Sequence, residues 1–190
     1  MAESVIFVII ATTILVTILY IFNLTWIDPR VIVGFIIIFL LPGLFAAFTS
    51  GPFVPSGKKR LETMFKLAKL KKTDRFVDLG CGDGRFVFKA APEVEEAIGY
   101  DLSIPLVVFG RIKAFLTRSK AKIRFGNIWQ QDVSDSTVIF CYLLPNAMVH
   151  FHKSVWPTLK PGTRVISHAF PIKEIQPEEV EESVYLYIKK

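Results

Sequence analysis

An apolar strand pattern that runs into a turn with glycine at every second position is the feature that most constrains this chain. Residues 76–79 are strand-like, Gly80, Gly82 and Gly84 interrupt the pattern, and a helical pattern follows from Arg85. A strand, a glycine turn and a helix together open an α/β nucleotide-binding domain. Glycine is required where the backbone adopts positive φ or must approach a ligand closely.

The chain after this turn alternates between strand and helix patterns. We predict strands at residues 75–79, 97–101, 123–125, 137–142, 164–170 and 184–188, and helices at residues 85–91, 105–116 and 146–159. Such alternation indicates a parallel sheet with right-handed crossovers. The last 20 residues leave no room for another long helix. The expected fold class is therefore α/β, a Rossmann-like and mainly parallel sheet with an antiparallel C-terminal edge.

Two long apolar runs precede this domain. Residues 4–27 and 31–57 form uncharged stretches of 24 and 27 residues, whereas a membrane helix needs about 20. A cleaved signal peptide is disfavoured because the first run lacks a positive N-terminal region and is too long; a buried core hairpin is the remaining alternative. We expect a transmembrane helical hairpin in residues 1–50, a linker and basic helix in 51–74, and the ligand-binding α/β domain in 75–190.

The charge next to the second run predicts the orientation of the hairpin. Between residues 58 and 75 there are eight Lys or Arg residues and two acids, and the net charge of the chain is +6. Positive residues beside a span stay on the cytoplasmic side. We therefore expect a multi-pass membrane protein with its globular domain on the cytoplasmic side or the equivalent face of an organelle. The bilayer is a more natural partner for these bases than nucleic acid, although a solvated basic face would look the same.

The charges around the glycine turn select the ligand. A dinucleotide fingerprint requires a third glycine at the position of Arg85, and both Asp78 and Asp83 would repel a pyrophosphate. The same two carboxylates would attract a cation. S-adenosyl-L-methionine carries a sulfonium and an ammonium group and no phosphate, so the charge pattern favours it as the cofactor.

The end of the second predicted strand supports this choice. Asp101 lies 23 residues after Asp78, where a carboxylate can accept hydrogen bonds from both ribose hydroxyls. The alternative is that Asp101 caps the following helix.

These residues resemble the class I, seven-strand S-adenosylmethionine-dependent methyltransferases, over residues 53–190. The resemblance implies that Asp78 and the turn at 80–84 hold the methionine portion, Asp101 the ribose, and Asn127 the adenine, where the family commonly has an acid. The predicted cofactor-binding residues are Asp78, Gly80, Cys81, Gly82, Asp83, Gly84, Asp101, Leu102, Asn127 and Ile128.

A narrower resemblance concerns the acceptor. The chain is similar to a membrane-anchored lysine methyltransferase family whose mitochondrial members modify the ATP synthase c-subunit and the adenine nucleotide translocase. The matching features are the motif at 53–56, the turn at 79–85, Trp129 and Leu144-Pro145. The resemblance implies a protein-lysine N-methyltransferase with a small membrane protein as substrate, and substrate or pre-domain roles for Phe53, Pro55, Ser56 and Pro145. A second apolar run, Asn127 and Asn146 depart from the family pattern.

The fourth predicted strand ends where an acceptor would bind. Tyr142 and Asn146 are candidates for orienting the acceptor nitrogen, because ligands bind at the carboxyl ends of parallel strands. They could equally be a packing aromatic and a helix cap. The turn lacks the Asn/Asp-Pro-Pro-aromatic pattern used on nucleobase amines, which disfavours nucleic acid. His150 and His152 would diverge by about 200° on a helix, so no metal site is expected. His168, within the fifth predicted strand, could reach the site, but it is interpreted as a satisfied core histidine.

Three function hypotheses follow from these patterns. The first is a membrane-anchored protein-lysine methyltransferase. The second is a methyltransferase that acts on a lipid or quinone at the bilayer surface. The third is a non-catalytic, cofactor-binding membrane adaptor.

Overall fold

The computed structural model describes residues 58–190 continuously, with side chains from residue 61 onward. Of the preceding segment it describes only residues 17, 28, 30, 31, 34 and 37. Among these described residues, no helix combines the length and the apolar character that crossing a membrane requires. The two apolar runs and the motif at 53–56 lie almost entirely outside the described residues, so the transmembrane hairpin stays a prediction.

Residues 58–190 form one seven-stranded sheet with helices on both faces. The helices are α1 (Lys58–Ala68), α2 (Arg85–Ala90), α3 (Ile104–Leu116) and α4 (Pro145–Ser154), with short 3-10 helices at Ile128–Gln130 and Trp156–Thr158. The strands are β1 (Arg75–Leu79), β2 (Glu96–Asp101), β3 (Lys122–Phe125), β4 (Val138–Cys141), β5 (Arg164–His168), β6 (Glu179–Glu181) and β7 (Val184–Ile188).

The strand order is β3-β2-β1-β4-β5-β7-β6. Strands β1 to β5 pair in parallel, and β7 pairs antiparallel with both β5 and β6. The predicted α/β class, the mainly parallel sheet and the antiparallel C-terminal edge are therefore confirmed. The carboxyl ends of β1 to β5 meet at one edge, where parallel sheets bind their ligands.

Two predicted elements end at least two residues earlier in the structure, and one strand was not predicted. The helix expected at 146–159 ends at Ser154, since Pro157 cannot donate the hydrogen bond that an α-helix would need there. The fifth strand ends at His168, because Ala169 has a φ of 65°. Strand β6 was not predicted, because its three residues lie in an acidic segment and obtain their order from pairing with β7.

Alternate residues of the strands face two separate cores. Phe76 belongs to the core beneath α1, α2 and α3, whereas its neighbour Val77 belongs to the core beneath α4. Phe65 of α1 packs against the rings of Phe76, Phe86 and Phe140, with centroids 5.4–6.3 Å apart. Helix α1 is therefore an integral part of the core.

A buried ion pair fixes the end of α1 to the amino edge of the sheet. Arg164 donates to the Asp74 carboxylate at 2.5 Å and to the carbonyl of Lys69 at 2.7 Å, and it also bonds the carbonyl of Ala68. Thr137 donates to the same carboxylate oxygen at 2.8 Å. The side chains of Asp74 and Arg164 are only 5% and 14% exposed. These bonds join α1, β1 and β5 at one point.

Lys66 in α1 and Lys69 directly after this helix pair with acids of the segment before β7. Lys66 lies 2.7 Å from the Glu181 carboxylate and Lys69 lies 3.8 Å from that of Glu179. The sequence pattern indicated the bilayer as the partner of the basic segment. Lys66 and Lys69 contact these two acids in the structure, although such exposed pairs contribute little stability.

We expect Asp74→Asn to lower the free energy of unfolding by about 3 kcal/mol, because it leaves the Arg164 charge buried without its partner. Burial alone would raise the pKa of Asp74, but hydrogen bonds from Arg164, Thr137 and Lys71 outweigh it and lower the pKa. An acid with a lowered folded-state pKa contributes stability above its unfolded pKa and loses it on acidification. The difference between wild type and variant should therefore shrink below about pH 4.

Urea denaturation of the full chain in detergent, followed by tryptophan fluorescence, measures this difference. Asp135→Asn is the matched control, since Asp135 pairs with Lys160 and Arg75 on the exposed surface. Equal stability of the two variants would contradict the role assigned to the buried pair.

Candidate active site

The glycine turn folds back directly onto β2. The backbone N–H groups of Gly80 and Cys81 donate to the carbonyl of Tyr100 at 2.9 and 3.0 Å. Gly80, Gly82 and Gly84 have φ values of 83°, 55° and 76°, which side chains rarely allow. The turn therefore requires its glycines for conformation as well as for ligand approach.

Gly99 in β2 is a site residue that was not predicted from the sequence. A Cβ atom at this position would lie 2.6 Å from both Cβ and Sγ of Cys81 and 2.7 Å from Cγ2 of Val87. The absence of a side chain at Gly99 therefore allows the turn to lie against the strand. A glycine inside a strand pattern is the sequence signal for such a close approach.

Asp78, near the end of β1, carries a carboxylate oxygen, Oδ2, that has no hydrogen-bond partner among the described residues. The side chain of Asp78 is buried. Burial, followed by the charges of Asp101 and Asp83, raises the pKa of Asp78 to about 8. A buried carboxylate without a partner is costly, and a cationic ligand with N–H donors supplies the missing partner. The residues present therefore fit S-adenosylmethionine.

Asp101 connects the turn to the end of β2. One carboxylate oxygen accepts from the backbone N–H of Gly82 and the other from that of Ser103, both at 2.7 Å. Burial raises the pKa of Asp101 despite these bonds. The N-cap of α3 is Ser103 rather than Asp101. Each carboxylate oxygen can accept a further hydrogen bond, so the predicted contact with ribose hydroxyls remains open to it, with Leu102 half-buried beside it.

The structure revises the electrostatic role of Asp83. Its carboxylate pairs with the guanidinium of Arg85 at 2.9 Å. Burial would raise the pKa of Asp83, but the bonds from Arg85 outweigh burial and lower it. Its charge is thus balanced locally, and the negative charge available to a cation comes from Asp78 and Asp101. Cys81 is buried, and burial raises the pKa of its thiol, so this residue packs as a neutral group.

Asn127 follows β3 at the same edge. Its side-chain oxygen accepts from the backbone N–H of Trp129 at 3.1 Å and caps the 3-10 helix Ile128–Gln130. Ile128 is buried. The oxygen predicted to accept from the adenine amino group therefore already has one donor, and a second hydrogen bond to it is compatible with its two lone pairs.

The predicted acceptor residues lie after β4. Tyr142 is half-buried, and its ring meets the ring of His168 edge-on, with centroids 4.6 Å apart and an interplanar angle of 88°. Pro145 and Asn146 are exposed in the first turn of α4. His168 is buried as predicted, and it also reaches the predicted acceptor residue Tyr142, which the sequence had left as the alternative. Their proximity results from the parallel pairing of β4 with β5.

The remaining histidines have separate surroundings. His150 meets the ring of Trp129 edge-on at 4.5 Å, and Nδ1 of His152 lies 3.6 Å from the Glu174 carboxylate. The two rings therefore face different partners, as the predicted divergence on a helix implies.

Solved structures with the same fold identify the class of protein. The chain aligns with an RNA methyltransferase from Salinibacter ruber in complex with S-adenosyl-L-homocysteine, with a TM-score of 0.67 and 31% identity over 72% of this chain and 94% of that one. A methyltransferase from Geobacter sulfurreducens, in complex with the same product, shares the fold at a TM-score of 0.50 and 18% identity over 58% of this chain and 47% of that one. The fold and site define a class I methyltransferase whose cofactor is S-adenosyl-L-methionine.

The sequence model of the ANTKMT methyltransferase domain family matches residues 78–179, which is more than half of the chain. The chain therefore belongs to this family. It is 34% identical to a protein-lysine N-methyltransferase of Saccharolobus islandicus, over 72% of this chain and 92% of the relative. It is 30% identical to the human lysine N-methyltransferase of the ATP synthase c-subunit, over 68% of this chain and 56% of the relative. The match thus spans little more than half the length of that human relative.

Binding of S-adenosylmethionine should depend on pH through Asp78. An acid with a raised folded-state pKa keeps its proton up to about pH 8, so the stability of the ligand-free domain falls as the pH rises between 3.8 and about 8. A cation binds the ionised form, so the affinity should increase by up to about tenfold per pH unit below that pKa. Calorimetry between about pH 6 and 7.5, below the titration of the ligand's amino group, measures this slope.

Asp78→Asn should flatten this profile and weaken binding at the upper end of the range. A wild-type affinity that is independent of pH would contradict the assignment of Asp78 to the cationic portion of the cofactor.

Asp101→Asn should weaken S-adenosylmethionine binding by about 10- to 100-fold, because hydrogen bonds to a charged acceptor contribute about 1.5–3 kcal/mol. Calorimetry is the measurement, and circular dichroism checks the fold. Asp132→Asn is the control, since the Asp132 side chain is exposed and accepts from the backbone N–H of Ser134 in the turn after the 3-10 helix Ile128–Gln130. Unchanged affinity in Asp101→Asn would refute the ribose assignment.

Proposed function

We propose that this protein transfers a methyl group from S-adenosylmethionine to a lysine side chain of a membrane protein. The observation that carries the proposal is the similarity to a protein-lysine N-methyltransferase over 92% of that relative's length. Relatives named for lysine methylation of the ATP synthase c-subunit and of the adenine nucleotide translocase support it.

The geometry of the acceptor edge is compatible with an amine. When bound, the cofactor supplies a methyl group on a positively charged sulfur. A lysine must lose its proton before it can accept this group, and an apolar environment lowers its pKa. Tyr142 and Asn146 lie at the edge where the acceptor enters and can hold the neutral nitrogen through hydrogen bonds. Positioning of the nitrogen then provides much of the rate.

The membrane location belongs to the same proposal. Two uncharged runs of 24 and 27 residues precede α1, and eight bases follow within residues 58–75. We propose that these runs anchor the protein in a bilayer, with the catalytic domain on the cytoplasmic side or the equivalent organelle face. A membrane-embedded acceptor would then share the surface on which the enzyme works.

One observation favours a second candidate acceptor. The Salinibacter ruber structure, which is 31% identical, is described as an RNA methyltransferase. The chain lacks the Asn/Asp-Pro-Pro-aromatic turn after β4 and has Leu144-Pro145-Asn146 instead. We therefore rank RNA below lysine as the acceptor.

Radiolabelled S-adenosylmethionine separates these possibilities. Membranes, total RNA and the purified full chain are incubated together, and protein, RNA and solvent-extracted lipid are counted separately. Label in a small membrane protein, recovered as methyl-lysine after hydrolysis, supports the proposal. Label in RNA or in the lipid extract would replace it with the corresponding acceptor, and no label despite cofactor binding would indicate a non-catalytic protein.

Tyr142→Phe should lower kcat for the acceptor by about 10- to 100-fold, because loss of one orienting contact misplaces the nitrogen. The affinity for S-adenosylmethionine should stay unchanged, as measured by calorimetry. Tyr185→Phe is the control, since Tyr185 is a half-buried tyrosine on β7. Equal activity of the two variants would show that Tyr142 is only a packing residue.

A further inference from the structure

The solvent-facing side of α3 is apolar. Helix α3 buries Val107 and Gly110 against the sheet, and residues of a helix are rotated by about 100° each. The side opposite these two residues carries large apolar side chains that are between 45% and 82% exposed. We call this surface the outer face of α3, and it consists of Val108, Phe109, Ile112, Phe115 and Leu116.

This arrangement is the reverse of an ordinary surface helix, which turns its polar residues to water. The outer face is continued by Phe125 at the end of β3, which is 49% exposed. Phe125 projects from the same side of the sheet as Ile123, two residues earlier, and Ile123 packs under Gly110 of α3. Contiguous exposed apolar surface of this kind marks an interaction site.

The segment around the outer face is strongly basic. Residues 102–131 contain no Asp or Glu and six Lys or Arg residues, which are Arg111, Lys113, Arg118, Lys120, Lys122 and Arg124. Lys122 pairs with Glu96 at 2.6 Å, and Lys113 lies 4.3 Å from the ring of Phe88. Arg118 and Lys120 are exposed directly after the helix. A partner for this surface must therefore be apolar and negatively charged.

These properties discriminate between the possible occupants. A second copy of the chain, docked through the same face, would bring like charges together, which disfavours it. The apolar N-terminal segment carries only two acids within residues 1–57, Glu3 and Asp28, too few to balance the basic surface. An anionic lipid bilayer provides both the apolar boundary and the negative head groups.

We propose that the outer face of α3, together with Phe125, lies in the head-group boundary of an anionic bilayer, with the helix axis along the membrane plane. The helix has 13 residues and would cover about 20 Å of surface. It begins three residues after Asp101, and Phe125 is two residues before Asn127. Docking of the outer face would therefore hold the sheet edge that carries the cofactor site at the membrane surface. The inference goes beyond lysine methylation and does not depend on the identity of the acceptor.

A fluorescent label on the outer face of α3 tests whether this face contacts the bilayer. Ile112→Cys and Val180→Cys are labelled with an environment-sensitive dye in the full chain, since Cys81 and Cys141 are buried. Val180 on β6 is the matched control, because both residues are apolar and 54% exposed. The labelled proteins are reconstituted into vesicles of phosphatidylcholine alone or mixed with phosphatidylglycerol, with or without nitroxide-labelled acyl chains.

The proposal expects blue-shifted emission and nitroxide quenching at position 112 and not at 180. Both effects should be stronger with phosphatidylglycerol and should decrease at high salt. Absence of quenching at position 112, or equal quenching at both positions, would overturn the proposal. A blue shift at position 112 in lipid-free detergent that increases with protein concentration would assign the outer face to a second copy of the chain. A blue shift that appears only when a protein acceptor is added would assign the outer face to that acceptor. Either result would also overturn the proposal.

A charge-reversed variant tests the electrostatic part. Arg118→Glu combined with Lys120→Glu leaves the apolar core intact and should reduce quenching at position 112 in anionic vesicles. Activity on a soluble lysine peptide should stay the same, whereas activity on a membrane-embedded acceptor should fall. Full quenching in this variant would overturn the role of anionic lipid. Quenching at position 112 without any lysine methylation would instead uphold the surface and refute the proposed acceptor.

Discussion

The close approach of the glycine turn to β2 is the constraint on which the site depends. Because Gly99 has no side chain, Cys81 can lie against the strand, and the turn hydrogen-bonds to the carbonyl of Tyr100. Asp78, at the end of β1, and Asp101, at the end of β2, are then brought to the same place. Two carboxylates thus meet at one edge of the sheet, and their mutual repulsion contributes to the raised pKa of Asp78.

The three acids of the site differ in how their charge is compensated. Asp83 is balanced by Arg85, and Asp101 accepts two backbone N–H groups. Asp78 alone keeps a buried oxygen without a partner among the described residues. The ligand-free domain therefore retains an unfavourable group at the point where a cation must bind. This arrangement favours a cationic ligand over a neutral or anionic one, because only a cation provides the opposite charge that stabilises the ionised form of Asp78.

Local patterns in the sequence were sufficient to predict the fold class, the bounds of β1 and β7, and the carboxylates at the ends of the first two strands. The missed features mostly depend on residues far apart in the chain. Arg85 shares the turn with Asp83, but whether the two would pair depended on how the turn folds. The contact between Tyr142 and His168 required the register of β4 against β5, and β6 acquires its order only from β7. Apolar periodicity also placed α3 correctly without revealing that it exposes its most apolar side.

The position of α1 links the catalytic domain to the segment that precedes it. Its aromatic packing and the bonds from Arg164 to the carbonyls of Ala68 and Lys69 make this helix part of the core. An anchor joined to the chain at Lys58 would therefore orient the whole domain through this helix. A second surface that contacts the bilayer, such as the outer face of α3, would fix the remaining rotation of the domain, because one attachment point leaves it free to turn. Together the two contacts would hold the carboxyl edge of the sheet at a defined distance from the membrane, and this distance would select which part of an embedded acceptor can reach Tyr142.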